Sequence, residues 1–525
     1  MDGVITFLSA GVPGGIFLFI FVLFSLNLTL YFLKKSELIS HSGWKKNMLT
    51  FNLVVLLLYV ALWFVTQPPK PQERIIVLPT RQSDKLLLNA RAFSLAESFQ
   101  KAAREQLKDR YLLHRWQWLF ETIPPQKRVN YASWQKTARA LKPRFLISSN
   151  NDGLKLECLV NDLVEKKSFQ ISVPADRALS GLLPKLNERL HLFKELAAIP
   201  PIDNQLLEAQ IALLEKDYEK VLQLLQSRQD VEALAILAAV YVEKGLAIDV
   251  DQERAKYVPI KNPDFEKAKK ILRPIILNRK DTPQIDLLMG RLLIREREYT
   301  TAEMFLKKAY VQDPENCRVH FSLSFLLPDR LKDIGYQSRV AILKRAVVLD
   351  PGYRDAVYQL ANEIYLSGRG TLGSIQEAID IINRFLEIHP DDPEMMSLLG
   401  SLYIKTNHPE KALPIFKDLF NKFPDDSDSY YNLGVCYYML KKDSTALRYF
   451  RKAIQMDQHL DSYLYIGMIY KKMGQADSAL KYFRERVARK TGDDDAYAKE
   501  AMLGIRQILI QQWKEKHGAK ADSSQ

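Results

Sequence analysis

One arrangement of residues recurs through the second half of the chain and limits what it can fold into. An apolar residue precedes Gly or Ala, and a small residue and then a large apolar one follow at fixed distances, with Pro often closing the unit. It reads Leu399-Gly400, Tyr403, Ala412, Phe416, Leu419 and Pro424. It returns as Leu433-Gly434, Tyr437, Ala446, Phe450 and Ala453, and as Ile466-Gly467, Tyr470, Ala479 and Phe483. Earlier copies are Met289-Gly290, Ala302, Leu306, Ala309, Pro314 and Leu360-Ala361, Ala378, Ile382, Phe385, Pro390. From Gly400 to Gly434 is 34 residues, and from Gly434 to Gly467 is 33. The spacing predicts two helices per unit. A small residue on each helix lets the pair approach closely, and a bulky residue four positions after the second small one fills the same face. Pro then ends the second helix. One such pair cannot bury its apolar face alone, so the units must stack.

At a period of 34 this pattern resembles the tetratricopeptide repeat. The resemblance implies a mainly α protein, a right-handed α-solenoid, in which function lies in what the stacked surface holds. Residues 283–490 read as the array. Residues 200–282 read as degenerate helical repeats with an insertion at 249–262. A helix within 491–513 is expected to cap the array, and 514–525 reads as a polar, unordered tail.

The resemblance also implies which residues face the concave groove. These include Tyr358, Asn362 and Tyr365 in one repeat, Ser401 and Lys405 in the next, and Tyr431, Asn432, Val435, Tyr438 and Met439 in the third. Leu464, Tyr465, Met468, Lys471 and Lys472 follow in the last. Rings supply area at low entropy cost and amides bond a peptide backbone, so a protein or peptide partner is the expected occupant. The alternative is that the tyrosines pack between helices. Only Asn432 matches the carboxylate clamp of chaperone-binding relatives, which does not support a terminal carboxylate as ligand.

The N-terminal part is of another kind. Residues 16–33 and 47–65 are uncharged apolar runs, each near the ~20 residues that span a bilayer core. They read as a transmembrane hairpin within 1–66, joined by a Pro-rich linker at 67–74. Lys34, Lys35, Lys45 and Lys46 lie between the runs. The positive-inside rule then puts this loop in the cytoplasm and the bulk of the chain outside it. The expectation is a protein of the bacterial inner membrane, in contact with the lipid bilayer through two helices, with a periplasmic or otherwise extracytoplasmic body.

Between linker and array, strand-like Arg74-Ile75-Ile76-Val77-Leu78-Pro79 opens a small α/β region. Helices are predicted from Phe93 to about Tyr111 and around Trp134, Ala138 and Leu141. Strands follow at 145–148, 154–159 and 169–173, with Asn150-Asn151-Asp152-Gly153 as a turn. A last helix is predicted over 176–196. The stretches Ile75-Ile76-Val77-Leu78-Pro79 and Ala138 to Ser148 resemble the N-terminal α/β domain of TolB, over 75–197. That resemblance implies a non-catalytic module, and Thr80-Arg81-Gln82 stands where the family has Phe-x-Asn. Residues 75–200 carry twenty-one Lys/Arg against twelve Asp/Glu, whereas the whole chain is at +13. The array is thus nearly neutral, which argues against nucleic acid as its partner. The basic region is either drawn to anionic head groups or simply solvated.

Signatures of catalysis are missing. Gly368-Arg369-Gly370-Thr371-Leu372-Gly373 matches a dinucleotide fingerprint in letters, but it falls between two repeat helices and reads as a turn. The eight histidines form no metal-binding spacing, and Cys158, Cys317 and Cys436 are scattered. Asp493-Asp494-Asp495 lacks the Gly and Glu of a calcium loop and reads as a capped helix start. Trp116 and Trp118 read as core rather than as a membrane-interface contact. No enzyme activity, cofactor or metal is expected. The leading expectation is a scaffold. A sensory accessory of a transmembrane system and an assembly or export factor for surface polysaccharide are the alternatives.

Overall fold

The computed structural model describes residues 73–522, apart from 82–85, 87, 108–110, 152–154, 175–177, 193–201, 248–261, 369, 425 and 458. Both predicted spans, 16–33 and 47–65, lie outside the described residues, as do nearly all of the linker and the insertion. Among the described residues, no helix is long and apolar enough to cross a membrane.

Five strands form one mixed sheet: β1 Glu73–Val77, β2 Tyr111–His114, β3 Phe145–Asn151, β4 Lys155–Asp162 and β5 Lys167–Pro174. Their order is β2-β1-β3-β4-β5. β1 runs parallel to both neighbours, and β3, β4 and β5 form an antiparallel meander. The two halves bury their residues differently. On β4, Leu156, Cys158 and Val160 are buried while Leu159 points the other way and is 41% exposed, the alternation of a sheet covered on one face. On central β1, Ile75 and Ile76 are both fully buried, so both faces are covered.

Helices α1 Ala90–Gln106, α2 Trp116–Thr122, α3 Tyr131–Ala140 and α4 Ala178–Leu190 complete this domain. An aromatic nest binds the first three. Phe93 lies 4.7 Å from Trp116 and 5.6 Å from Trp134, centroid to centroid. The indole N–H groups are satisfied: Trp116 donates to Glu97 at 2.8 Å and Trp134 to the Arg128 carbonyl at 2.7 Å. Trp116 and Trp118 are therefore core residues. The helix expected to run from Phe93 to Tyr111 ends at Gln106, and Tyr111–His114 is a strand instead. Four residues are too few to show a period, and their pairing partner lies some forty positions earlier on β1.

The array follows as antiparallel pairs. These are α5 Asn204–Leu214 with α6 Tyr218–Leu225, α7 Val231–Ala247 with α8 Pro263–Leu277, and α9 Pro283–Arg295 with α10 Tyr299–Gln312. Next comes α11 Cys317–Leu323, then, after a single helical turn at Pro328–Leu331, α12 Arg339–Leu349. The regular units are α13 Arg354–Ser367 with α14 Leu372–Ile388, α15 Pro393–Lys405 with α16 Pro409–Lys422, α17 Ser427–Met439 with α18 Asp443–Asp457, and α19 Leu460–Lys472 with α20 Ala476–Ala488. A long α21, Ala496–Asp522, ends the chain's described part. It runs past the expected end at 513 into the supposed polar tail, where Lys, Glu and Ala favour helix and no Pro stops it.

The repeated small residue has a visible task. A Cβ built on Gly400 would stand 2.5 Å from the Phe416 ring, one on Gly434 2.6 Å from Phe450, and one on Gly467 2.5 Å from Phe483. The second helix of each unit drops its ring into the space that the missing side chain leaves. Seven residues after these glycines the chain turns through the left-handed region, at Asn407 (φ 60°), Lys441 (φ 58°) and Gly474 (φ 74°). Side-chain caps begin the first helices: Asp392 accepts from the Met395 N–H, and Asp426 from Asp428 and Ser429.

The sheet domain is packed into the array. Arg74 donates to the Leu349 and Val348 carbonyls at 2.9 and 2.8 Å, and to His114 Nδ1 at 2.9 Å. Burial lowers His114 well below its ordinary pKa, with Arg74 adding to this, so the ring is neutral and accepts at Nδ1. Arg115 meets Asp313 at 2.6 Å with both side chains largely buried, and Arg318 pairs with Glu121. Leu112 and Trp118 share an apolar cluster with Cys317 and Leu349. At the other end Glu208 of α5 accepts from the Ala90 N–H at 2.7 Å. The end of α12, the start of α11 and the turn at Asp313 thus meet β1, β2 and α2.

Gly434→Ala is expected to lower stability by ~1–3 kcal/mol, because the methyl meets a ring that neighbouring helices hold in place. Urea denaturation of both proteins measures it, and an unchanged midpoint would show that Phe450 can move aside.

Candidate functional site

Helices α13, α15, α17 and α19 are the first helices of successive units, and each expected groove residue lies on one of them. Tyr358, Asn362 and Tyr365 are on α13, and Ser401 and Lys405 on α15. Tyr431, Asn432, Val435, Tyr438 and Met439 are on α17, and Tyr465, Met468 and Lys472 on α19. The structure does not bring them into one site.

Val435 is core: it is 5% exposed and packs with Ala446, Phe450 and Ile466. A β-branched residue immediately after Gly434, whose position is in close contact with Phe450, is drawn into the helix interface. Tyr431 is held from three sides. Its ring stacks on His459 at 4.2 Å and stands 6.0 Å from Phe450 and 5.9 Å from Tyr465. Burial pushes its phenol up, with Tyr465 and Tyr497 adding to this. Tyr358 and Tyr365 pack against the apolar cluster that includes Ile375, Ile379 and Leu402. The Lys405 ammonium sits 4.1 Å over the Tyr365 ring, and Lys472 pairs with Asp443 at 2.6 Å.

Five of the expected residues do converge. Tyr438, Met439, Tyr465 and Met468 line a cavity of about 490 Å³, together with Leu464. Ile404 contributes from α15, and Ala496, Tyr497 and Glu500 from α21. Tyr465 is fixed by stacking on Phe450 at 5.1 Å, with Tyr438 edge-on to it at 5.4 Å. Burial raises Tyr465 to about 12, so its hydroxyl keeps its proton at neutral pH. Sequence reasoning missed Ile404 and the three residues of α21. The signal was partial, since α21 was expected as a cap but its inner face was not assigned to the groove.

The placement of α21 has an ionic cause. Asp495 caps it by accepting from the Ala498 N–H at 3.0 Å and also accepts from the Thr491 N–H at 3.0 Å. Arg486, almost wholly buried, reaches Asp495 at 2.7 Å and Asp461 at 3.1 Å. A Cβ on Gly504 would stand 2.6 Å from Phe483, so the last repeat ring is clasped by glycines of two helices.

No set of three or more His, Cys, Asp or Glu that could hold a metal occurs among the described residues. The three cysteines are buried and free. Gly368 ends α13, Gly370 lies at φ 66° and Thr371 caps α14, which already includes Leu372 and Gly373, so these letters fall at a junction between two repeat helices.

Three sequence models of the tetratricopeptide repeat match the chain, at residues 371–434, 427–460 and 461–485. This part of the chain consists of tetratricopeptide repeats, a type of array that typically serves as a non-catalytic scaffold for protein–protein interaction. No curated protein matches the chain in sequence. Solved structures resemble parts of it. MamA from Desulfovibrio magneticus RS-1 (residues 41 to the end) is 19% identical, over 34% of this chain and 97% of that one, with a TM-score of 0.28. YrrB, a tetratricopeptide-repeat protein with an unusual peptide-binding site, is 20% identical over 38% and 97%, at 0.29. The APC/C hetero-tetramer Cut9–Hcn1 is 14% identical over 63% and 60%, at 0.39.

Two outcomes follow from this packing. Tyr431→Ala is expected to cost ~2–4 kcal/mol in denaturant unfolding, because it empties a stacked position between two repeats; a loss below about 0.5 kcal/mol would make the ring a surface residue. Acidification tests the α21 anchor. Burial works against ionisation of Asp495, but its two backbone N–H donors and Arg486 more than offset this and hold the carboxyl well below its usual range. A depressed carboxylate contributes stability that is present above its unfolded value of ~4 and is lost as pH falls. The drop in melting temperature between pH 6 and pH 3 should therefore be smaller in Asp495→Asn than in the parent protein.

Proposed function

We propose that this chain is a membrane-anchored scaffold that holds a peptide or partner protein on the concave side of its repeats, with no chemistry of its own. The observation that carries the reading is the apolar cavity between the first helices of successive repeats, closed at one end by α21. It lies within the size range of ligand sites, and its walls belong to rigid helices.

Anchoring rests on the sequence. Residues 16–33 and 47–65 have the length and lack of charge of bilayer spans, and the lysine-rich loop between them orients the body away from the cytoplasm. Placement in a bacterial inner membrane belongs to the same reading. The likeness of residues 75–197 to the TolB N-terminal domain rests on the stretches 75–79 and 138–148. In this reading that domain is a strut for the array, since its Arg74 and Arg115 are spent on array groups.

Met468→Arg drives a charged stem into the cavity and tests the groove. Truncating or blocking an interface anchor costs ~2 kcal/mol or more. The variant should keep its helical circular dichroism and lose most of the partner that the parent chain captures. Full capture by a folded Met468→Arg protein would move the site off the concave face. Protease added to spheroplasts checks the topology, since residues 67–525 should be degraded before lysis.

A further inference from the structure

The cavity near the end of the array has one charged wall residue, and its chemistry narrows what can enter. Glu500 stands on the first turns of α21 with Tyr497, and among the described residues its carboxylate has no hydrogen bond or ion pair. The cations nearby are engaged elsewhere: Lys472 is held by Asp443, and Lys471 donates to Gln507. The rest of the wall is thioether, aliphatic and phenol, with the Tyr465 hydroxyl kept neutral by burial. Electron-rich ring faces and an unpaired carboxylate attract the same kind of group, a cation carried on an apolar stem. The same concave surface already shows such a contact, with the Lys405 ammonium 4.1 Å over Tyr365.

Building on the groove reading, we propose that this cavity binds a peptide segment of the partner that inserts a lysine or arginine beside an apolar residue. The stem lies along Met439 and Met468, the cation rests among Tyr438, Tyr465 and Tyr497, and Glu500 supplies the counter-charge. The specificity thus comes from the end helix and not from a repeat. An acidic segment is rejected, because a second carboxylate next to Glu500 would be left without a donor in an apolar wall.

A random heptapeptide display library, selected against the immobilised full-length chain in detergent, tests this. Enriched peptides are remade with a fluorescein label and titrated. The parent chain should enrich Lys or Arg flanked by an apolar residue. Glu500→Lys, a change at an exposed position that should leave circular dichroism unaltered, should bind those peptides about tenfold more weakly and enrich Asp or Glu instead. Met468→Arg should lose them. Peptides that depend on Met468 but carry no basic residue, or that bind Glu500→Lys unchanged, would overturn the cation specificity and leave the groove reading intact. If no selected peptide depends on Met468, both readings fall together.

Discussion

The close approach of a helix carrying glycine to a ring from its partner governs this architecture. At Gly400, Gly434 and Gly467 the ring of Phe416, Phe450 or Phe483 occupies the volume that any Cβ would need. Packing density leaves no slack for a methyl at such points. The contact therefore fixes the separation and the crossing of each helix pair, and thereby the direction in which the first helix presents its outer positions. Leu306 does the same against Gly290, and Phe265 against Gly245, so the rule extends into units whose sequence has drifted. Unit α13–α14 substitutes Ala361, with Ala378 and Ile382 beneath it. The glycines at its helix junction stay outside the packed face, with open space around Gly373.

A second constraint acts between domains. A solenoid whose repeats touch only their neighbours can flex along its length. Here the sheet domain is bound at one end by α5 and in the middle by the turn at Asp313 and the end of α12 at Leu349. Arg74 and Arg115 would be costly to bury alone. Arg74 is matched by two carbonyls and a neutral imidazole, and Arg115 by a carboxylate. Truncating one partner would strand the other. The basic charge of residues 75–200 thus has a partial explanation within the fold: Arg115 and Lys142 face Asp313 and Glu387 of the array.

The repeats were legible in the sequence because their signal is local and repeated. Gly400, Ala412 and Phe416 lie within seventeen residues, and five copies report the same geometry. β2 and the domain interface were not legible, for a physical reason. Arg74 and Leu349 are 275 positions apart, and nothing in either segment marks it for the other. The groove fell between these cases. Helical spacing put Tyr438, Met439, Tyr465 and Met468 on one side, and they line one cavity. It could not separate them from Val435 and Tyr431, because a side chain at a first-helix position can turn outward or pack across to a neighbouring helix. Tyr431 stacks on His459, a residue of the following repeat, and that choice depends on contacts beyond its own period.

The end of the array shows how a capping element becomes part of a site. A last repeat needs something to cover its apolar side, and α21 does so with Ala498, Ala501 and Ile508. Covering alone would leave the helix free to slide, since apolar contact has no preferred register. Asp495 removes that freedom: it is at once the N-cap of α21 and the counter-ion of the buried Arg486, and a hydrogen-bonded ion pair tolerates little displacement. With that point fixed and Gly504 seated on Phe483, Tyr497 and Glu500 can lie only over the groove between α17 and α19. The same ion pair that completes the fold therefore sets the wall of the cavity, and the one exposed carboxylate on that wall comes from a helix outside the repeat pattern.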